Sequence, residues 1–131
     1  ELESRYLDDS SIQFLGKINF SDILSLFKRT DIFVHPSLYP EGLPTAILEA
    51  GLMRTAIIAT PRGGTKEVII DERHGIIVDG SVDSLKIALM EMVQNEYMRK
   101  KSADNVKKRI ESVFSWQSVA KCVDNKIKES I

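Results

Sequence analysis

"DIFVHPSLYPEGLPTAILEAGLMRTAIIAT", residues 31–60, decides the fold. It opens on a short β-forming run, "DIFVH" (31–35), and closes on another, "TAIIAT" (55–60). Between them a proline- and glycine-bearing turn leads into apolar residues at helical spacing, with Pro44 where proline is tolerated, in the first turn of a helix expected to reach about Arg54. Strand, helix and strand in that order are the unit from which parallel sheets are built.

Working outward, the same alternation recurs. "SIQFL" (11–15) and "GIIVD" (75–79) read as further strands. "FSDILSLFKRT" places Ile23, Leu24, Leu26 and Phe27 on one helical face, with Asn19 or Ser21 as the N-cap. A short helix over about 65–70 is expected after the Gly63-Gly64 pair. Ser81 caps a helix carrying Leu85, Ala88, Leu89, Met92 and Val93 on one side; helices over about 96–113 and 116–128 follow, the last capped by Ser115. The expectation is an α/β chain with a parallel sheet of about four strands and helices on both faces. No internal repeat, low-complexity tract or linker divides it, so residues 1–131 read as a single partial domain, expected to belong to a longer chain because it opens on Glu1.

Composition bounds the function. With 43% hydrophobic and 28% charged residues the chain is globular, and 18 basic against 19 acidic residues leave no overall field to favour nucleic acid or an anionic membrane. The single cysteine, Cys122, excludes an intramolecular disulfide and fits a reducing compartment; it is expected to be a buried, inert thiol. No apolar run reaches the roughly 20 residues of a membrane span, and no signal peptide opens the chain.

In open parallel sheets ligands bind beyond the carboxyl ends of the strands. "HPSLYPEGLP" and "PRGG" both follow strands at that end. A helix N-terminus with free amides suits a phosphate, and here the donors would be Thr45, Ala46 and Ile47. Glu49, one turn into the helix, could accept two hydrogen bonds from a vicinal diol such as ribose, while Glu41 precedes the helix. A ligand with ribose, diphosphate and a second hydroxylated ring would engage both. Taken alone, the pair is more commonly an exposed turn glutamate and a surface helix glutamate.

The wider pattern changes that reading. "FLGKI", "DIFVHPS", "EGLPTAILEA", "IIATPRGGTKEVI" and "HGIIV", in this order, with "FSW" before the last helix, resemble the donor-binding domain of GT-B retaining glycosyltransferases of family 4 over roughly residues 11–120. The centre of the resemblance is a glutamate pair separated by seven residues, Glu41 and Glu49, and "EGLPTAILEA" looks most like the bacterial branch that builds capsular polysaccharide, exopolysaccharide or lipopolysaccharide.

The resemblance implies a Rossmann-like fold, the C-terminal half of a GT-B enzyme, and a nucleotide-sugar as donor substrate. It implies that Glu49 holds the ribose, and that Glu41 lines the donor sugar with the backbone of Gly42, Leu43 and Thr45 as a donor-positioning residue of the catalytic site. Amides of Thr45 and Ala46 would meet the diphosphate, the main chain of Gly16, Lys17 and Ile18 the base, and Gly63 and Gly64 would allow close backbone approach. No D-x-D triplet occurs, so no metal and no cofactor is expected. Expected partners are an acceptor-binding domain of the same protein and a saccharide or lipid-linked acceptor, at a cytoplasmic site that includes the inner face of the membrane.

The family's opening strand-helix units, one bearing an Arg/Lys pair for the departing diphosphate, have no counterpart before residue 11, and Arg62 and Lys66 do not match that pair. The chain alone is therefore expected to be inactive. The strand 31–35 would then either keep an open edge available for self-association or pair directly with residues 11–15. A binding-only module for nucleotide-sugars and a nucleotide-sugar epimerase of the same fold are the alternatives.

Other conspicuous residues have plainer expectations. His35 reads as a hydrogen-bonded histidine at a strand end, with contact to the donor as the alternative, and His74 as solvated. Trp116 is expected to pack the last helix onto the domain. Lys100, Lys101, Lys107, Lys108 and Arg109 form a basic stretch read as a solvated face.

Overall fold

The computed structural model describes residues 2–6 and 9–129. In chain order the elements are α1 (Leu2–Arg5), α2 (Phe20–Phe27), β1 (Ile32–His35), α3 (Thr45–Leu52), β2 (Ala56–Ala59), α4 (Thr65–Val68), β3 (Ile76–Ile77), α5 (Val82–Gln94), α6 (Glu96–Val113) and α7 (Trp116–Glu129). The three strands form one parallel sheet in the order β1-β2-β3, with Ile32 opposite Ala56, His35 opposite Ala59, and Ile58 opposite Ile76.

β2 is central, and its four small or β-branched residues are all fully buried. Alternation along the strand sends successive side chains to opposite faces. Ile57 and Ala59 accordingly join Ile47 of α3, Val68 of α4, and Val106 and Ile110 of α6. Ala56 and Ile58 join Ala88 and Met92 of α5 with Ala103 of α6. Both faces of the sheet are thus covered by helices, which is why β2 reads as an unbroken apolar run. α3 approaches α6 closely because position 51 is glycine: a Cβ there would lie 2.4 Å from Ile110 Cδ1.

The sheet departs from the expectation at its outer side. Residues 11–15 form no strand, and Ile12, Phe14 and Leu15 are exposed. The cause is local: Asp9 accepts hydrogen bonds from the Ser11 amide at 2.9 Å and hydroxyl at 2.6 Å, and the Ile12 amide turns back to the Asp9 carbonyl at 3.0 Å. That Asp-Ser turn occupies donors a strand would need. Direct pairing of 11–15 with β1 does not occur, and among the described residues β1 pairs with β2 alone.

The C-terminal helix also differs. Ser115 caps α7 as expected, its hydroxyl accepting from the Ser118 amide at 3.2 Å, and Ser118 donates on to the Ser112 carbonyl at 2.6 Å. Past this first turn α7 buries none of its residues, and Trp116 is 86% exposed rather than packed on the domain. Cys122, on the same helix, is exposed rather than buried. Both side chains follow a helix whose apolar stripe lacks a covering surface among the described residues. Two polar expectations change as well. His74 is not solvated: its Nδ1 lies 2.8 Å from Asp71 Oδ1, and its side chain is 13% exposed. Arg109 leaves the solvated row to donate twice to the Glu67 carbonyl, tying α6 to α4.

A candidate donor-binding site at the carboxyl end of the sheet

The carboxyl ends of β1 and β2 lie side by side because the strands are parallel and in register. His35 ends β1, and its carbonyl accepts from the Thr60 amide at 3.2 Å. Thr60 also donates its hydroxyl to the Ser37 carbonyl, so the start of the "HPS" turn is clamped to the end of β2.

Position 63 provides the second clamp. Gly63 has a φ of +51°, and a Cβ there would lie 1.9 Å from the Gly42 carbonyl oxygen and 2.2 Å from that of Glu41. The Gly64 amide donates to the Gly42 carbonyl at 3.1 Å. Only glycine allows the two turns to meet at this distance. The close approach anticipated for the glycine pair is therefore made to the main chain of Glu41 and Gly42.

Held between these clamps, the half-buried Glu41 places Oε1 3.1 Å from His35 Nε2. Its carboxyl sits below the usual carboxylate range, chiefly through hydrogen bonding from the Ser37 hydroxyl and next through His35, against a smaller opposing effect of desolvation. Acceptance of these bonds favours the ionised form. His35 is thus the hydrogen-bonded strand-end histidine the sequence suggested, and its partner is the first glutamate of the pair.

α3 begins at Thr45 after the buried Pro44, which holds an extended backbone and offers no side-chain cap. The amide of Ile47 is already spent on the Pro44 carbonyl at 3.1 Å, which removes it from the three donors expected for a phosphate. Among the described residues the amides of Thr45 and Ala46 donate to no partner. Glu49 is the fifth residue of α3 and is half-buried, and its carboxylate forms no hydrogen bond or ion pair with the described residues. One carboxylate is therefore locked in a network and the other is open to a ligand.

The structure brings Glu41, Gly42, Leu43, Gly63 and Gly64 into mutual contact, with Thr45 and Ala46 following in the chain. It does not join Gly16, Lys17 or Ile18 to them: no hydrogen bond links that segment to the turn among the described residues, and Gly16 and Lys17 are exposed. Arg62 and Lys66 are exposed beside the glycine pair. Two contributors went unassigned from sequence, Ser37 and Thr60. Ser37 lay within the quoted "HPS" triplet, so a hydroxyl two residues past the strand end was the available signal. Thr60 closes the expected strand "TAIIAT" and opens the turn in "IIATPRGGTKEVI", so its place at the strand end was the available signal. A hollow of about 550 Å³ lined by Lys66, Asp71, Glu72, Glu91 and Met98 lies on the β3 side, and none of its lining residues belongs to the Glu41 turn. Among the described residues no three carboxylate, histidine or cysteine side chains converge, and no helix is long and apolar enough to cross a membrane.

A parallel sheet sandwiched by helices is the architecture of the C-terminal domain of GT-B glycosyltransferases. The HepE protein of Anabaena, solved in complex with UDP, superposes with a TM-score of 0.83 at 20% identity, over 97% of this chain and 35% of that one. Residues 5–109 match the family described as glycosyl transferases group 1, and the chain belongs to that family. An uncharacterized glycosyltransferase of Methanocaldococcus jannaschii is 33% identical over 122 residues, which is 92% of this chain and 31% of the relative. The GDP-mannose-dependent monoacylated alpha-(1-6)-phosphatidylinositol monomannoside mannosyltransferase of Corynebacterium glutamicum is 28% identical over 122 residues, 88% of this chain and 32% of the relative. The chain spans about a third of the length of these curated relatives.

Proposed function

We propose that the chain is the donor half of a retaining hexosyltransferase of the family 4 type, binding a nucleoside-diphosphate sugar for transfer to a saccharide or lipid-linked acceptor. The observation that carries this reading is the pairing of unused donors with an open acceptor. The Thr45 and Ala46 amides begin α3 without internal partners, and Glu49 follows one turn later with a free carboxylate. A diphosphate on the first and a ribose diol on the second would fill both, with the charge at the helix N-terminus favouring the anion.

In this arrangement the sugar falls over the Glu41 turn, whose fixed carboxylate orients its hydroxyls, and the base would lie toward Gly16, Lys17 and Ile18. Catalysis would then come from positioning and electrostatics, with the departing diphosphate stabilised by donors already in place. The relatives support a nucleotide donor but differ in it: one is solved with UDP and another depends on GDP-mannose. The Corynebacterium enzyme's phosphatidylinositol-based acceptor favours a lipid-linked acceptor, and hence an acceptor-binding domain working at the inner membrane face. The narrower placement, bacterial surface polysaccharide such as capsule or lipopolysaccharide, rests on "EGLPTAILEA".

Binding is proposed to need no metal. Titration calorimetry with UDP, GDP and ADP before and after EDTA treatment tests this: one nucleotide should bind with unchanged affinity. Loss of binding on chelation would contradict the metal-free reading.

A further inference from the structure

We propose that His35 is a positioning residue for the donor sugar: it holds one oxygen of the Glu41 carboxylate, so that the other is presented to a sugar hydroxyl in a single orientation. The proposal rests on the donor-binding reading of the Glu41 turn and adds a residue that reading does not require.

Three observations carry it. An ionised carboxylate only accepts, so the 3.1 Å contact fixes His35 Nε2 as the protonated, donating nitrogen. The donor stands on the rigid side of the contact: His35 is the last residue of β1, is in register with Ala59, and its carbonyl is bonded to the Thr60 amide. Glu41, by contrast, sits in a turn, where a carboxylate without a fixed partner would sample several rotamers. A strand-borne group that locks a loop-borne one is how a site is held to the tolerance that orientation demands. The main chain of Glu41 is already fixed by Gly63 and by the Gly64 amide, so His35 is not needed to hold the turn itself. What it governs, together with the Ser37 hydroxyl, is the direction of the carboxylate.

The test compares free nucleotides with their sugar conjugates. UDP, GDP and ADP, and UDP-glucose, GDP-mannose and ADP-glucose, are titrated calorimetrically into the chain and into His35→Phe, His35→Asn and His35→Gln, each checked by thermal melting. Glutamine can place its amide nitrogen near the position of Nε2; asparagine is too short. The expected result is a conjugate bound more tightly than its free nucleotide by the unsubstituted chain. That preference falls roughly tenfold in His35→Phe and His35→Asn, with free-nucleotide affinity unchanged, and is largely restored in His35→Gln. If His35→Phe fails to melt cooperatively, the asparagine and glutamine variants decide alone. In parallel, the Glu41 carboxyl carbon followed by NMR should titrate at higher pH in His35→Phe.

Equal conjugate affinity in all variants, or no preference for a conjugate in the unsubstituted chain, overturns the role of His35 while leaving nucleotide binding intact. Failure of the unsubstituted chain to bind any probe overturns the donor reading and this inference with it.

Discussion

β2 and residues 11–15 are written in the same alphabet and end in opposite environments. "AIIA" is fully buried between α3, α4 and α6 on one side and α5 and α6 on the other, whereas Ile12, Phe14 and Leu15 of "SIQFL" are 41–46% exposed and bonded to no strand. α6 and α7 repeat the contrast among helices. Both are amphipathic, yet α6 buries Ala103, Val106 and Ile110 while α7 buries nothing. Apolar patterning specifies a surface that can be buried, and only a partner surface decides whether it is.

The largest break in that comparison should come from β2. Ile57→Ala empties a fully buried site touching α3 and α6, and a loss of about 3 kcal/mol in urea unfolding is expected. Gly63→Ala should follow, at about 1–3 kcal/mol, because a Cβ at this positive φ meets two carbonyl oxygens. It should also weaken donor binding by displacing the Glu41 turn.

A smaller, pH-restricted effect is expected at Asp79, which anchors the start of α5. Its carboxyl is lowered to about 2, first by the Ser84 hydroxyl and then by the Ser81 amide. Since the folded value lies below the unfolded one, this contribution is present above the usual carboxylate range and is lost as pH falls from about 4 toward 2. Thermal melts of Asp79→Asn against the unsubstituted chain should therefore diverge at neutral pH and converge in acid. The smallest effects belong to the exposed partners of the comparison. Leu15→Ala and Trp116→Ser should each stay within about 0.5 kcal/mol by the same unfolding measurement. A loss near that of Ile57→Ala at either position would mean that it is covered in solution.

The same physics explains how much was legible. The parallel unit 31–60 was readable because β-branched runs, a helix-start proline and helical spacing all agree there. Residues 11–15 were misread because the Asp9-Ser11 turn that consumes their donors lies just upstream of the apolar run. At the site, Glu41 and Glu49 were visible through their spacing and Gly63 through its doublet. The clamp of Thr60 on the Ser37 carbonyl was not, since it depends on strand register, which no local signal encodes, and the His35–Glu41 contact depends on the path of the turn that joins these residues, six positions apart. Ile47 was overcounted as a donor because a helix's third amide can close a tight turn on the residue before it. The exposure of Trp116 and Cys122 was likewise invisible, as helical amphipathicity does not say which surface answers it.

α3 and the turn before it are proposed to form a nucleotide-sugar half-site, with Glu49 as its open acceptor. The most direct measurement is calorimetric titration of the chain and of Glu49→Ala with UDP, GDP and ADP, both proteins shown folded by circular dichroism. The account predicts that one nucleotide binds the unsubstituted chain and loses at least about tenfold in affinity in Glu49→Ala, as expected when a charged acceptor of two hydrogen bonds is removed. Equal binding by both proteins, or none by either, would contradict it.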